Sequence, residues 1–193
     1  MKNRTDFNLG IMFRREHAPE QLPEFARRAE SVGFDELWVV EDCFYGSGIA
    51  SAPAYVSWAR EQIESGKLEA GHDREHRVTV FAFACAGSTS EAARSELRPL
   101  VATDVASGKL DAQLAPMGIL PKVQELKKSG DHKHFEAVMP DSWIDQLVIG
   151  GTPHDWSAAI DRLIEAGADT VVLVPLPDKD PQELDRFARH FLT

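Results

Sequence analysis

The sequence predicts an α/β fold in which about four parallel strands alternate with flanking helices. Two segments carry this prediction, because residues 31–40 and 165–174 both run from a helix end, through glycine and aspartate, into an apolar strand. Glycine after the last helical turn adopts the left-handed conformation that other residues resist, and an unbroken apolar run suits a parallel strand buried on both faces. We interpret both segments as helix-to-strand joints of a βα repeat.

The first half of the pattern places one amphipathic helix between two strands. Residues 7–13 form an apolar run and predict the first strand. A helix follows, with Pro19 in its first turn and its end at Gly33, because apolar residues recur at the spacing of one buried face. The second strand is 36–41. The loop at 42–48 is rich in small residues and lies where the active sites of α/β proteins usually lie.

The middle of the chain adds a helix and a third strand. Residues 54–63 carry a helical stripe of apolar side chains, and the polar segment 64–77 is expected to be a loop. Residues 78–85 predict a third buried strand. The hydroxyl-rich segment 88–91 opens the next helix, since its side chains can cap free N–H groups.

The last part of the chain is less regular at its start. We expect a helical insertion at about 104–141, with a mobile turn at 127–131. Thr152 then begins a helix, since a threonine cap followed by Pro153 and by Asp155 in the first turn is a strong start signal. The fourth strand is 170–174, and 181–191 is a closing amphipathic helix.

Composition limits the classes of protein to consider. A chain of 193 residues with 43% apolar content can bury one core, and no stretch of about 20 apolar residues could span a bilayer. With no export leader visible, we expect a soluble cytoplasmic protein. Two cysteines, Cys43 and Cys85, predict free thiols. The net charge of −10 would repel a phosphate backbone, so we do not expect nucleic acid as a partner.

Several segments resemble one family. Residues 7–48, and the stretch 38–44 in particular, resemble the opening of the luciferase-like monooxygenase superfamily, which includes many enzymes that use coenzyme F420. Residues 78–99, 151–153 and 165–177 resemble the last two barrel strands of that family. The resemblance implies a TIM-type barrel, an FMN or F420 cofactor, and hydride transfer or monooxygenation on a small organic substrate.

The chain is too short for that whole barrel, which typically needs about 250 residues. Roughly four βα units are missing between Ser51 and Tyr55, so we expect a partial TIM-type barrel that keeps strands seven, eight, one and two, in that spatial order. We treat 1–193 as one domain, with the first two units at 1–52 and the last units at 53–193. Such a sheet would have two open edges and an uncovered inner face, which predicts completion by a homodimer.

The loop after the second strand is the candidate catalytic site. Members of the family place histidines there after an acidic residue, whereas this chain has Glu41, Asp42 and Cys43. Asp42 would need a strongly raised pKa to transfer protons near neutral pH. Cys43 has no histidine near it in sequence to activate it as a nucleophile. A structural turn is the alternative role for both residues.

Five residues are candidates for cofactor binding. Met12 can pack against a flavin ring, and Arg14 can meet an anionic substrate or the coenzyme tail. The N–H groups of Gly87, Ser88 and Thr89 precede a helix, where an anion can bind. The alternative for Met12 is core packing, and for Arg14 it is a solvated charge. For the N–H groups at 87–89 the alternative is simple helix capping by Ser88 or Ser90.

The sequence gives little support for a metal site or a nucleotide-binding motif. The pairs His72/His76 and His132/His134 have spacings that a metal could use, but they lie in polar loops without cysteine, so we expect no metal site. There is no Walker or Rossmann phosphate fingerprint.

Two functions therefore stay open. The first is an FMN- or F420-dependent oxidoreductase that acts on a small organic substrate. The second is a non-catalytic truncated barrel that serves as a dimeric scaffold or a weak flavin binder. A natural deletion, an engineered one and a record that lost residues are equally compatible with the sequence.

Overall fold

The computed structural model describes residues 7–13, 21–39, 52–71 and 76–176, and every structural statement below concerns those residues. Within them the chain forms one parallel sheet flanked by helices. The strands are β1 Asn8–Phe13, β2 Glu36–Val39, β3 Thr79–Ala86, β4 Ile149–Gly151 and β5 Thr170–Pro175. The helices are α1 Leu22–Val32, α2 Pro53–Ala70, α3 Ser90–Ser107, α4 Asp111–Leu114, α5 Leu120–Lys128, α6 His132–Val138, α7 Asp141–Leu147 and α8 Pro153–Glu165.

The strands lie in the order β2-β1-β5-β3-β4, and each neighbouring pair is parallel. This confirms the partial barrel and the predicted spatial order of the four expected strands. The sequence analysis missed the fifth strand, β4, which pairs with Ala84 to Ala86 at the end of β3. Two of its three residues are glycines, and glycine is depleted in strands because it offers no side chain to pack.

The first predicted joint has the expected backbone. Gly33 ends α1 in the left-handed conformation, with φ at +91°. Two residues later, the Asp35 N–H donates to the carbonyl oxygen of Leu9 at 2.9 Å, and the Asp35 carboxylate accepts from the Leu9 N–H at 2.8 Å. The aspartate of the repeated sequence therefore pairs with both backbone groups of a residue at the start of the neighbouring strand.

The second joint repeats this arrangement 134 positions further along the chain. Gly167 has φ at +110°. The Asp169 N–H donates to the carbonyl oxygen of Val78 at 2.9 Å, and the Asp169 carboxylate accepts from the Val78 N–H at 2.7 Å. The internal repeat seen in the sequence is thus a repeat of hydrogen bonds as well.

The sheet has two packed faces, because successive side chains of a strand point to opposite sides. The outer face packs against Phe25 of α1 and Trp156 of α8. Its strand residues are Leu9, Ile11, Phe13, Val80, Ala82, Ala84, Ile149, Val171 and Leu173. The strand residues of the inner face include Gly10, Met12, Trp38, Phe81, Phe83, Cys85, Val172 and Val174.

Helices α3 to α7 cover the inner face over β3, β4 and β5. A Cβ atom on Gly150 of β4 would lie only 2.6 Å from the Cδ1 atom of Leu97 in α3. Phe83 and Val174 belong to the same buried cluster as side chains of α4 to α7. The expectation of an uncovered inner face is therefore wrong for these three strands. The segment expected to be an insertion supplies buried residues to that cover: Val105, Leu110, Leu114, Val123, Phe135 and Met139.

Helix α2 is longer than the sequence predicts, because it continues past Ile63 to Ala70. It contacts α4 on the inner-face side and α8 on the outer-face side, so it lies at the edge of the sheet. A helix at an edge buries only a narrow stripe, which explains why its second half reads as polar. Pro19 and the closing helix expected at 181–191 lie outside the described residues. No helix in the described ranges is long and apolar enough to cross a membrane.

Candidate functional site

Met12 lies at the carboxyl end of the inner face. It is the penultimate residue of β1, is paired in register with Trp38 of β2, and is 6% exposed. The same buried cluster contains Phe83 and Val174. Met12 is therefore part of a packed apolar floor beneath the carboxyl edge of the sheet. Three further candidate residues lie outside the described residues: Arg14, Asp42 and Cys43.

The indole ring of Trp38 lies across the inner face. A Cβ atom on Gly10 would be 3.1 Å from Cδ1 and Nε1 of the indole, so the ring rests on the bare α-carbon of β1. The indole also meets the ring of Phe81 edge to face, with the centroids 5.2 Å apart. Both aromatic residues are partly exposed. They form the open apolar part of this face.

Glu36 fixes the orientation of that indole. Its carboxylate accepts from Nε1 of Trp38 at 2.9 Å and from Nδ2 of Asn8 at 3.0 Å. Both oxygens of the carboxylate are thus engaged on the inner face. A charge-assisted hydrogen bond of this kind is stronger than a neutral one, so the ring is held in place rather than free to rotate.

Several polar groups of the loop from β3 to α3 form hydrogen bonds within the protein. The Gly87 N–H donates to the carbonyl oxygen of Gly151 at 2.9 Å. Thr89 is the N-cap of α3, since its hydroxyl accepts from the Ala92 N–H at 3.1 Å. The cap is therefore Thr89, and Ser88 is exposed at the rim. An anion at this helix start would meet Ser88 and the remaining N–H groups of the first turn.

Asp155 joins the starts of α3 and α8. Its Oδ2 atom accepts from the Ser90 hydroxyl at 2.7 Å, from the Thr152 N–H at 2.8 Å and from the Thr152 hydroxyl at 2.7 Å. Thr152 is the N-cap of α8 in a capping box with Asp155, which confirms the predicted helix start. Hydrogen bonds from Thr152, and then from Ser90, hold the pKa of Asp155 below its ordinary value.

A polar cleft lies beside β4, between α3, α7 and α8. We call it the β4 cleft, and its volume is about 130 Å³. It is lined by Ser90, Arg94, Asp145, Val148, Gly150, Asp155, Ala158, Ala159 and Arg162.

Two arginines meet Asp145 in this cleft. The guanidinium of Arg94 donates from Nε and Nη2 to the two carboxylate oxygens of Asp145, at 2.7 and 2.9 Å. This fork-shaped pairing raises the pKa of Arg94 further above its usual value. Arg162 donates from Nη2 to the Asp145 carbonyl oxygen at 3.1 Å. The cleft therefore combines a satisfied ion pair with a second cation bound to a backbone oxygen.

Of the two histidine pairs, His72 lies outside the described residues, and the second pair, His132 and His134, shows no metal geometry. No group of three His, Cys, Asp or Glu side chains in the part of the chain that is described could hold a metal ion. A ring nitrogen of His132 lies 3.2 Å from the Thr103 hydroxyl, and His134 belongs to the first turn of α6.

The sequence analysis did not connect the residues of the β4 cleft. Ser90 and Asp155 were noted only as parts of separate helix starts, although they bond directly. The ion pair between Arg94 and Asp145 was missed. Arg94 is half-buried on α3 and Arg162 is exposed on α8, and arginine is common at such helix positions. Only the position of β4 could have brought these residues together.

Comparison with known proteins places the chain in a family. The sequence profile described as luciferase-like monooxygenase matches residues 42–170. The chain belongs to this family. Luciferase-like relatives include the 5,10-methylenetetrahydromethanopterin reductase of Methanolobus tindarius, which is 30% identical over 129 residues. That alignment covers 64% of this chain and 39% of the relative.

A solved structure shares the luciferase-like fold of the chain. It is the coenzyme F420-dependent tetrahydromethanopterin reductase from Methanopyrus kandleri, which superposes with a TM-score of 0.57 at 20% identity. The superposition covers 93% of this chain and 49% of the reductase chain. The luciferase-like chain thus spans half or less of the length of both relatives.

Proposed function

We propose that this luciferase-like chain contributes to an oxidoreductase site for coenzyme F420 or FMN, at the carboxyl edge of the sheet. The observation that carries the proposal is the position of the candidate residues. The seven candidate residues lie in or directly after β1, β2 and β3 in sequence, and parallel sheets bind ligands beyond the carboxyl ends of their strands. When bound, the cofactor supplies hydride transfer to or from a small organic substrate.

The described residues can form an apolar floor beneath the ring of such a cofactor. Met12 is only 6% exposed, so it can support a planar ring from below rather than enclose it. Trp38 and Phe81 add partly exposed aromatic surface on the same face. This floor excludes water from one side of a bound ring.

The anionic half of the cofactor needs donors at the rim. The N–H of Gly87 and the hydroxyl of Thr89 are already engaged, which leaves Ser88 and the first-turn N–H groups of α3. Glu91 in that turn opposes an anion. Arg14 is the candidate with the charge to hold a phosphate or a carboxylate, and we assign it that role in the proposal.

Asp42 is proposed as the proton-transfer group and Cys43 as its neighbour at the ring. Asp42 stands where relatives of the resembled family carry a histidine-containing motif. A carboxyl group acts as an acid near neutral pH only when its surroundings raise its pKa. The role of Asp42 thus depends on desolvation by a bound ring, which is a testable condition.

The test is a titration of the full chain with F420 and, separately, with FMN, followed by cofactor fluorescence. Saturable binding of either cofactor supports the proposal, and no binding of either leaves the non-catalytic scaffold. Arg14→Gln should weaken binding by roughly tenfold or more, the loss expected for one charge-assisted hydrogen bond. Arg27→Gln is the matched control, because Arg27 pairs with Glu24 on the exposed side of α1.

A homodimer remains part of the proposal. Helices α3 to α7 already cover much of the inner face, so a second copy would cover the edge at β2 and the partly exposed pair Trp38 and Phe81. The chain has a mass of 21.4 kDa. Sedimentation equilibrium with and without cofactor would show whether twice that mass is reached, and a monomer in both states would remove the dimer from the proposal.

A further inference from the structure

Among the described residues, β4 is the last strand of the sheet, so no strand there pairs with its outer edge, which lies at the β4 cleft. The Gly151 carbonyl oxygen accepts from the Gly87 N–H, so Gly151 turns its backbone groups toward β3. Successive residues of a strand turn these groups to opposite edges, and Gly150 therefore turns its N–H and C=O into the cleft that it lines. Gly150 is partly exposed, and Ala158 and Ala159 of α8 line the same cleft with small side chains.

The two carboxylates of the cleft have different partners. Asp145 receives both donors of the Arg94 fork, whereas one oxygen of Asp155 receives three neutral donors. The charge of Asp145 is thus paired with that of Arg94, and the hydrogen bonds to Asp155 disperse its charge without cancelling it. The starts of α3 and α8, which carry the positive ends of their helix dipoles, are joined by the bond from Ser90 to Asp155, and both residues line the cleft.

Arg162 supplies the second positive charge of the cleft. Its Nη2 atom donates to a carbonyl oxygen, that of Asp145, and the guanidinium forms no ion pair with any carboxylate in the described part of the chain. A guanidinium has five N–H donors in a fixed plane, so most of its donors remain for a ligand.

We propose that the β4 cleft binds a small N-acylated amino acid, with the carboxylate on Arg162 and the amide N–H on Gly150. In an antiparallel pair, two residues exchange both of their backbone hydrogen bonds. The ligand amide would donate to the Gly150 carbonyl oxygen, and the ligand carboxylate would accept from the Gly150 N–H and from Arg162. The volume of about 130 Å³ suits a ligand of this size. This site is separate from the carboxyl-edge site and does not depend on the proposed function.

The test is an NMR titration of the isotopically labelled full chain with N-acetylglycine, which carries the minimal donor and acceptor set. The expected result is a saturable shift of the Gly150 amide signal, with a dissociation constant in the millimolar range. N-acetylglycinamide has the same backbone without the charge and should bind about tenfold more weakly.

Arg162→Gln should weaken binding of N-acetylglycine by roughly tenfold, whereas Arg27→Gln should leave it unchanged. The amide spectrum of each variant shows directly whether it is folded. The inference is overturned if the Gly150 signal does not shift, if the uncharged amide binds as tightly as the acid, or if Arg162→Gln binds like the unsubstituted chain. Each of these outcomes leaves the F420 and FMN titrations unaffected, so the two proposals fail separately.

Discussion

The ring of Trp38 on β2 meets the ring of Phe81 on β3 edge to face, with centroids 5.2 Å apart, although β1 and β5 lie between their strands. Adjacent strands are about 4.8 Å apart, so three strand spacings separate the two backbones. The contact is possible because the sheet is concave, as in a barrel, and because Gly10 leaves the space above β1 empty. The two side chains thus fill one layer of the interior from opposite sides.

This contact predicts that Gly10→Ala is destabilising. The new methyl group would lie 3.1 Å from Cδ1 and Nε1 of Trp38 and from Cγ2 of the fully buried Val172. Overpacking of a filled core typically costs about 1–3 kcal/mol. Chemical denaturation followed by tryptophan fluorescence would measure the loss in free energy of unfolding.

Gly66→Ala is the matched control. Gly66 lies inside α2, and a Cβ atom there would meet nothing within 4 Å. Alanine in a helix interior is favoured over glycine by about 0.5–1 kcal/mol, so this variant should be more stable than the unsubstituted chain. If both variants shifted stability in the same direction, the packing of Trp38 on Gly10 would not be the cause.

Arg60 of α2 predicts a second stability effect. Its guanidinium donates to the carbonyl oxygens of Gly167 and His76, both at 2.7 Å, and pairs with the Asp169 carboxylate. It thereby ties α2 to the segments that precede β3 and β5. Arg60→Ala should lower the free energy of unfolding by about 2–3 kcal/mol, since hydrogen bonds of a charged group are lost together.

Arg60→Lys separates geometry from charge at this position. Lysine keeps the charge but lacks the planar fork, so it should recover only part of the loss. Arg27→Lys on α1 changes a more exposed ion pair and should stay within about 0.5 kcal/mol of the unsubstituted chain. Equal losses at positions 27 and 60 would contradict the role assigned to Arg60.

The four long strands could be predicted because their signals are local. An apolar run predicts each of these strands. Before β2 and β5 it also follows glycine and aspartate, and these two joints have the same hydrogen bonds in the structure. The cover of the inner face could not be predicted in this way. Helices α4 to α7 are short. Their apolar residues indicate that each helix buries one side, but they do not indicate which face of the sheet that side contacts.

The candidate site shows the same limit. The helix start at Thr152 could be predicted from four adjacent residues. The bond from Ser90 to Asp155 joins positions 65 residues apart and exists only because β4 lies beside β3. Strand β4 has three residues, and two of them are glycines, so the sequence contains no signal for its place in the sheet. The cleft beside β4 therefore could not be predicted.

The bonds of Asp155 predict a dependence of stability on pH. The pKa of this carboxyl group is lowered in the folded chain, so the ionised form favours folding. Its contribution is fully present above the ordinary aspartate value of 3.8 and is lost as the pH falls through the lower folded value. Asp155→Asn should therefore destabilise the chain at pH 7, by about 1 kcal/mol as for other lost caps.

The difference in free energy of unfolding between Asp155→Asn and the unsubstituted chain should shrink as the pH falls below about 4. Urea denaturation at a series of pH values measures this difference directly. Ser90→Ala removes one of the three donors to the carboxylate and should show a smaller dependence of the same sign. A difference that stays constant between neutral and acidic pH would mean that the ionised carboxylate does not hold the starts of α3 and α8 together.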